Sequence, residues 1–389
     1  MSFFMFAKKI ACLFMSLAIL FSCFSYFVVA LEKDEAPNFN FECKSVVLME
    51  ASTGTVLYEY NSDEALPPAS VTKIMTLLLV MEELEKGNIK YSDIVTTSAY
   101  AASMGGSQVF LKEGEQMTVE DMIKSVVISS ANDAAVALAE HICGSEEVFV
   151  QRMNSKAKEL GMNNTNFENT NGLDDTASNH VSSARDIAIM SRELIKHEDI
   201  LKYSATWMDT IRNGEFVLTN TNRLVRFYEG ATGLKTGSTS KAKFCISATA
   251  KRNGMHLICV IMGAPSSNVR NSIATQLLNW GFANFELYTD SSKSLEPIKV
   301  TSGVENKCYV KTSDFSIVVK KGETNKITKT FNVPQKISAP IRNGEEIGTI
   351  EYKLNGKILG KSGIVSTQNI EKIDYWRLFV KILSKFLIK

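Results

Sequence analysis

Net charge is the first thing this sequence lacks. Its 389 residues carry 43 Lys+Arg against 42 Asp+Glu, a formal charge of +1. A nucleic-acid binder usually shows a basic excess or stripe, and none is present, so no nucleic-acid partner is expected. Histidine is scarce as well. His141, His180, His197 and His256 form no HExxH or other paired-ligand pattern, which argues against a metal site. Cysteine lacks order rather than number. Cys12 and Cys23 lie in the first thirty residues, while Cys43, Cys143, Cys245, Cys259 and Cys308 are scattered, odd in count and without a repeating spacing. That is no disulfide framework, and these side chains read as small buried hydrophobes. There is no internal repeat and no low-complexity tract.

Long apolar runs are also missing, with one exception. Lys8 and Lys9 are the only charges before Glu32, and Ile10 to Ala30 is almost wholly apolar. A charged start followed by an apolar stretch reads as a signal peptide over residues 1–30. Val28 and Ala30 are small at the positions that precede cleavage, and the polar stretch Glu32–Glu35 follows at once. An uncleaved membrane anchor is the alternative, because the run approaches spanning length. A lipoprotein site at Cys23 fits less well, since Phe21 is bulky and the run continues past it. Without Lys8 and Lys9 the charge falls from +1 to −1, still near neutral.

What is present suffices for two domains. Val46–Met49, Ser52-Thr53-Gly54 and Val56–Tyr58 read as strand, turn, strand. Pro67-Pro68-Ala69 then precedes a helix over Ser70–Lys86, with Ile74, Leu77, Leu78, Met81 and Leu84 at helical spacing and Gly87 closing it. Thr118, Ser145 and Ser182-Ser183 open further helices, and Asn132 or Asp133 is expected to cap another over Ala134–Ile142. After Gly230, strands are expected over Lys243–Thr249 and His256–Met262, then a last helix over Val269–Trp280. Strands at both ends with helices between predict an α+β domain over residues 31–285. Beyond Asp290, short β-rich runs (Lys307–Val310, Ser316–Val319, Lys326–Phe331, Glu346–Leu354, Lys357–Val365) alternate with turns, predicting a small all-β domain over 290–369. From Ile370 to Lys389 a wheel gathers Ile373, Tyr375, Trp376, Phe379, Val380, Ile382, Leu383, Phe386 and Leu387 on one half. Asp374, Arg377, Lys381, Ser384, Lys385 and Lys389 occupy the other. An amphipathic helix lying on a membrane surface is expected over 370–389.

Three short motifs carry chemistry. Ser70 and Lys73, three apart, project from one helix face, and a neutral lysine there can take the hydroxyl proton. The first turn of a helix, with its free N–H groups, also favours developing negative charge. Ser130-Ala131-Asn132 sits at a helix break, where a hydroxyl can relay a proton and an amide can hold a peptide carbonyl. Lys235-Thr236-Gly237-Ser238 precedes a strand. Its lysine offers charge to a carboxylate and helps keep Lys73 unprotonated, and its glycine lets a peptide lie alongside an edge strand. Each motif alone also reads as something ordinary: a solvated helix surface, a cap, a polar turn.

Together and in this order, Ser-x-x-Lys, Ser-x-Asn and Lys-Thr-Gly are a signature of penicillin-binding proteins and β-lactamases. The sequence resembles in particular the low-molecular-mass D-alanyl-D-alanine carboxypeptidases (peptidase S11). The resemblance rests on Pro68–Thr76, Ser130–Ala134, Asn171-Gly172-Leu173 with His180 and Ser182–Asp186, and Gly233–Gly237 with Thr249–Arg252. It implies a penicillin-binding-protein/β-lactamase-like catalytic domain, a C-terminal β-domain and an amphipathic membrane helix, with the protein at the outer face of the cytoplasmic membrane. It implies Ser70 as nucleophile, Lys73 as base and Ser130 as proton relay. Asn132, Lys235, Thr236, Gly237 and Ser238 would bind substrate, with N–H groups of Ser70 and Ser238 as the oxyanion hole. The substrate would be the D-Ala-D-Ala end of peptidoglycan stem peptides, and β-lactams would acylate Ser70. Two positions depart from the usual pattern: Ala131 replaces a glycine and Ser238 a histidine, and neither removes a catalytic group. A β-lactamase needs a Glu-x-x-Leu-Asn segment, whose nearest match is Glu159-Leu160-Gly161-Met162-Asn163. DD-endopeptidase or transpeptidase work would use the same residues. A non-catalytic wall-binding protein is a further alternative, disfavoured because Ser70, Lys73 and Lys235 are all retained.

Overall fold

The computed structural model describes residues 39–174 and 177–387. The signal peptide expected over 1–30 lies outside the described residues. Two compact units divide the rest. The larger runs to Thr289 and takes back Ser316–Asn325, and the smaller comprises Asp290–Phe315 and the chain from Lys326 onward.

The larger unit is built on a five-stranded antiparallel sheet. Its strands are β1 (Ser45–Glu50), β2 (Val56–Tyr60), β3 (Ala231–Thr239), β4 (Lys243–Arg252) and β5 (Met255–Ala264), in the order β2-β1-β5-β4-β3. N- and C-terminal segments thus share one sheet, joined where Leu48 pairs with Cys259. The hydrophobic runs in β1 and β5 are unbroken because both faces are covered. Val46, Leu48, Leu257, Cys259 and Ile261 face one core, with Ile273, Ala274, Leu277 and Leu278 of the helix Ser267–Asn284. Val47, Met49, Ile258, Val260 and Met262 face the other, with the helical region. The alternation is the period of two that a strand imposes.

The helical region holds α1 (Lys73–Glu85), α2 (Val119–Ile128), α3 (Asn132–Cys143), α4 (Glu146–Glu159) and α5 (Ala184–Leu194). Three starts follow the sequence signals. The Thr118, Ser145 and Ser183 side chains accept from the N–H groups of Asp121, Val148 and Asp186. α3 does not. Its cap position is Ala131, which has no hydrogen-bonding side chain, and the Asp133 carboxylate instead accepts from Val109, Leu111 and Ala134 N–H. Asp133 is fully buried and spends its charge tying down the loop before α2. α1 is almost wholly buried, which explains why its apolar residues are spread around it rather than confined to one face.

The run Ser316–Val319 belongs to a strand, Phe315–Lys320, that pairs with Phe285–Asp290 and clusters with the larger unit. The Glu286 carboxylate holds its far turn by accepting from the N–H groups of Gly322, Glu323 and Thr324. The smaller unit has a three-stranded and a four-stranded sheet. Glu346–Leu354 and Lys357–Ser366 form the central hairpin of the latter, and Tyr352 is fully buried there, stacked on Phe315 at 3.8 Å.

The terminal helix, Tyr375–Leu387, starts later than the wheel suggests. Ile370 is buried and exchanges backbone hydrogen bonds with Ile341, and the Ile373 N–H reaches the Ser302 carbonyl, so this stretch is extended. Asp374 caps the helix through the Arg377 N–H. Lys381 then anchors it, its Nζ donating to the carbonyl of Val304 at 2.9 Å and to Asn306 Oδ1 at 2.7 Å. Trp376, Phe379, Val380 and Leu383 are left exposed. No described helix is long and apolar enough to cross a membrane.

Candidate active site

Ser70 lies in a single 3-10 turn, Ala69–Thr72, that runs straight into α1. Pro67 and Pro68 end the preceding extended chain, and the turn is held from two sides. Strand β3 passes so close that a Cβ on Gly237 would sit 2.8 Å from Ser70 N. Gly172, at φ +86°, presses on the Ala69 carbonyl, and a Cβ there would lie 1.9 Å from that oxygen. Glycine is required at Gly172 on both counts, conformation and space.

Lys73 is fully buried one turn on. Its Nζ lies 3.0 Å from Ser70 Oγ, 2.6 Å from Asn132 Oδ1 and 2.7 Å from the Asn171 carbonyl oxygen. Burial pushes the amine well below the usual lysine range, and the Lys235 charge adds to that, with Asp133 opposing. Amide oxygens only accept. A neutral amine in this place would give its two N–H groups to Asn132 and Asn171 and leave its lone pair facing the Ser70 hydroxyl. Asn132 is held in the matching orientation because its Nδ2 donates to the Gly105 carbonyl at 2.7 Å.

Ser130 falls where the chain breaks between α2 and α3, at φ +62°. It is buried. Lys235 and Thr236 are buried on β3, the edge strand, with Gly237 and the exposed Ser238 following. Lys235 Nζ donates to the Thr236 carbonyl, and Thr236 Oγ1 to Thr221 Oγ1 at 2.8 Å. Burial, then the charge of Arg270, bring Lys235 down to about 7. Arg270, on the helix after β5, is itself buried and lowered to about 10 by that burial. Two cationic groups thus share a desolvated region beside the edge strand, a place prepared for an anion.

Several of the sequence-predicted residues come together here. Ser70, Lys73 and Asn132 are joined by hydrogen bonds, Gly237 lies against Ser70, and Lys235 acts on Lys73 through its charge. Sequence reasoning missed the Asn171 carbonyl, Arg270 and Thr221. Residue type says nothing about a main-chain oxygen, although the glycine after Asn171 marks the tight turn that delivers it. Arg270 looks like any helix arginine. His180 is close, with both ring nitrogens already engaged. Its Nδ1 accepts from the Glu168 N–H at 3.0 Å, so Nε2 carries the proton to Thr72 Oγ1, and burial lowers it to about 4. Glu159 is at the surface, paired with Lys156 at 2.8 Å, so the nearest match to a β-lactamase water-activating segment does not face Ser70.

The sequence matches two family profiles: D-alanyl-D-alanine carboxypeptidase over residues 31–266, and the C-terminal domain of penicillin-binding protein 5 over residues 282–372. A Bacillus subtilis protein named D-alanyl-D-alanine carboxypeptidase DacF is 47% identical over 341 residues, covering 86% of this chain and 87% of its own. Penicillin-binding protein 5 from Haemophilus influenzae superposes with a TM-score of 0.76 at 32% identity, over 86% of this chain and 99% of its own. An ampicillin-bound penicillin-binding protein D2 from Listeria monocytogenes is similar at a TM-score of 0.59 and 29% identity, over 63% of this chain and all of its own.

Substituting Gly172→Ala is expected to lower stability by about 2–4 kcal/mol, combining left-handed strain with overpacking. It should also slow penicillin labelling, because the displaced Ala69 carbonyl belongs to the turn that carries Ser70. Urea unfolding together with the rate of penicillin labelling checks both.

Proposed function

The chain belongs to the D-alanyl-D-alanine carboxypeptidase family, and from that premise we propose how its residues carry the reaction. The enzyme is a serine-type carboxypeptidase that removes the terminal D-Ala of peptidoglycan stem peptides and binds penicillin. The observation that supports the residue assignment best is the buried Lys73 amine, 3.0 Å from Ser70 Oγ with two amide oxygens taking its N–H groups.

Ser70 Oγ attacks the carbonyl of the penultimate D-Ala while its proton passes to Lys73 Nζ. The N–H groups of Ser70 and Ser238 take the charge that develops on the carbonyl oxygen. The C–N bond breaks as Ser130 hands a proton to the departing amine and is itself reprotonated from Lys73. Water then attacks the acyl-enzyme with Lys73 again taking the proton, and Ser70 leaves with its hydroxyl restored. Lys235, Thr236 and the charge of Arg270 hold the terminal carboxylate, and the edge of β3 aligns the peptide with Asn132 opposite. β-Lactams acylate Ser70 by the same first step.

Purified residues 31–374 should release D-Ala from a peptide ending in Lys-D-Ala-D-Ala, and Ser70→Ala should abolish release. Slow penicillin acylation without release would point instead to endopeptidase or transpeptidase work on larger wall fragments. Rapid penicillin turnover without release would point to a β-lactamase.

The pH profile follows from the two lysines. Lys73 must be neutral, so acylation rises with pH through its depressed pKa. Lys235 binds the carboxylate only when charged, and its folded-state value of about 7 makes that charge decline as pH rises past neutrality in the free enzyme. KM for the peptide should therefore increase above pH ~7 while kcat holds, because a bound carboxylate keeps Lys235 protonated. A kcat that falls with KM constant would contradict the assignment of Lys235.

The location is also part of the reading. The substrate lies outside the cytoplasm, so the protein is exported, with residues 1–30 as the signal. The helix Tyr375–Leu387 lies on the outer face of the cytoplasmic membrane through its exposed Trp376, Phe379, Val380 and Leu383. Removing residues from Tyr375 onward should move the protein from the membrane to the soluble fraction. If it stays membrane-bound, the N-terminal segment is the anchor.

A further inference from the structure

We propose that Thr76 is a positioning residue for acylation: together with Glu146 and Asn169 it fixes the Thr170–Asn171 segment, so that the Asn171 carbonyl takes one N–H of Lys73. The inference rests on the reading of Lys73 as the base. Thr76 sits on α1 three residues after Lys73, on the same face, and is fully buried. Its hydroxyl donates to the Thr170 carbonyl at 2.5 Å, and the next carbonyl, that of Asn171, meets Lys73. Two successive carbonyls of the loop are thus fastened to two successive turns of the helix that carries the base. The flanking donors are fixed as well. Glu146 Oε1 accepts from the Thr170 N–H at 2.9 Å and its hydroxyl at 2.7 Å, while Glu146 Oε2 accepts from Tyr100. Asn169 Oδ1 accepts from the Gly172 N–H at 2.7 Å, and its Nδ2 donates to the Leu173 carbonyl.

The consequence is chemical. A neutral amine has two N–H groups and one lone pair. If the Asn171 carbonyl drifts away, the released N–H turns toward the nearest remaining acceptor, Ser70 Oγ. An amine that donates to the serine cannot take its proton. Holding the carbonyl in place therefore keeps the lone pair, rather than a hydrogen, on the nucleophile, which is an orientation effect on the bond-making step alone.

Thr76→Val in the full chain tests this, because valine keeps the volume and removes only the donor. With a fluorescent penicillin, the saturating acylation rate should fall about 10–100-fold and the dissociation constant of the non-covalent complex should stay within about threefold. The acid limb of the rate profile should move to lower pH. The ammonium form loses a charge-assisted acceptor while valine still excludes water. Thr76→Ser should restore both the rate and the limb. Should Thr76→Val fold poorly, Asn169→Ala is expected to give the same signature. An unchanged rate and limb would overturn the proposal, as would a limb moving to higher pH, which marks a site merely opened to water. Lys73→Ala separates the two levels. A fully active Lys73→Ala sinks the base assignment, whereas an inert Lys73→Ala beside a fully active Thr76→Val sinks only the role of Thr76.

Discussion

A lysine amine without water is the constraint on which the rest of this fold depends. In the reaction proposed above Lys73 works only as a neutral amine, and in water it would carry a proton at any physiological pH. The structure removes the water by burying α1 on all sides, against the helices around it and the inner face of the sheet. It then sets a second buried amine, Lys235, on strand β3, which passes against the turn that carries the serine. What burial takes away in solvation, the site returns as two oriented amide oxygens. One belongs to the Asn132 side chain at the start of α3, oriented by the 105–111 loop that Asp133 ties down, and the other to the Asn171 main chain, in the loop that Glu146 ties down at Thr170. Neither carboxylate touches the reacting atoms. Their work is to make main-chain groups stay where the lysine needs them.

Much of this was legible in the sequence, for physical reasons that can be named. Much of the sheet was visible because the short apolar runs Val46–Met49 and His256–Met262 each lie next to a turn, Ser52-Thr53-Gly54 and Arg252-Asn253-Gly254. Helix starts were visible where Thr118, Ser145 and Ser183 offered an oxygen to the first turn. The start of α3 was misread because Asp133, a good capping residue by type, is used three-dimensionally to bind a distant loop, and Ala131 takes the cap position. In the same way Ser70, Lys73, Asn132 and Lys235 could be named by motif, since chemistry of this kind is carried by side chains. The Asn171 carbonyl could not, because every residue has one. Arg270 acts through field rather than contact, and a field leaves no spacing in the sequence. The strand Phe315–Lys320 has the composition of its neighbours in the small unit, so nothing local says that it pairs with Phe285–Asp290.

The smaller unit obeys a different economy of order. Its sheets bury fewer large side chains, and Tyr352 is the largest that is fully covered, closed over by Phe315. Its terminal helix is oriented by polar contacts: a cap at Asp374 and an ammonium, Lys381, shared among main-chain carbonyls and Asn306. One residue of the polar face, Lys381, thus meets protein, and the aromatic face is left exposed. That inverts the usual arrangement of a surface helix on a globular domain, where the apolar stripe turns inward.

The position of β3 at the rim of the sheet has a consequence for solubility as well as for catalysis. An edge strand presents unpaired N–H and C=O groups to any passing chain, and proteins ordinarily blunt such edges by covering them. This edge cannot be covered without closing the enzyme. Its middle, Gly233–Gly237, is instead sunk below the surface, with the exposed residues kept to the ends of the strand. A recessed edge is a poor template for another folded sheet, whose neighbouring strands would collide with the rim before the ladders could meet. A single extended peptide is slim enough to reach it. The recess that suits the proposed peptide substrate is thus also a barrier to strand pairing between copies of the chain.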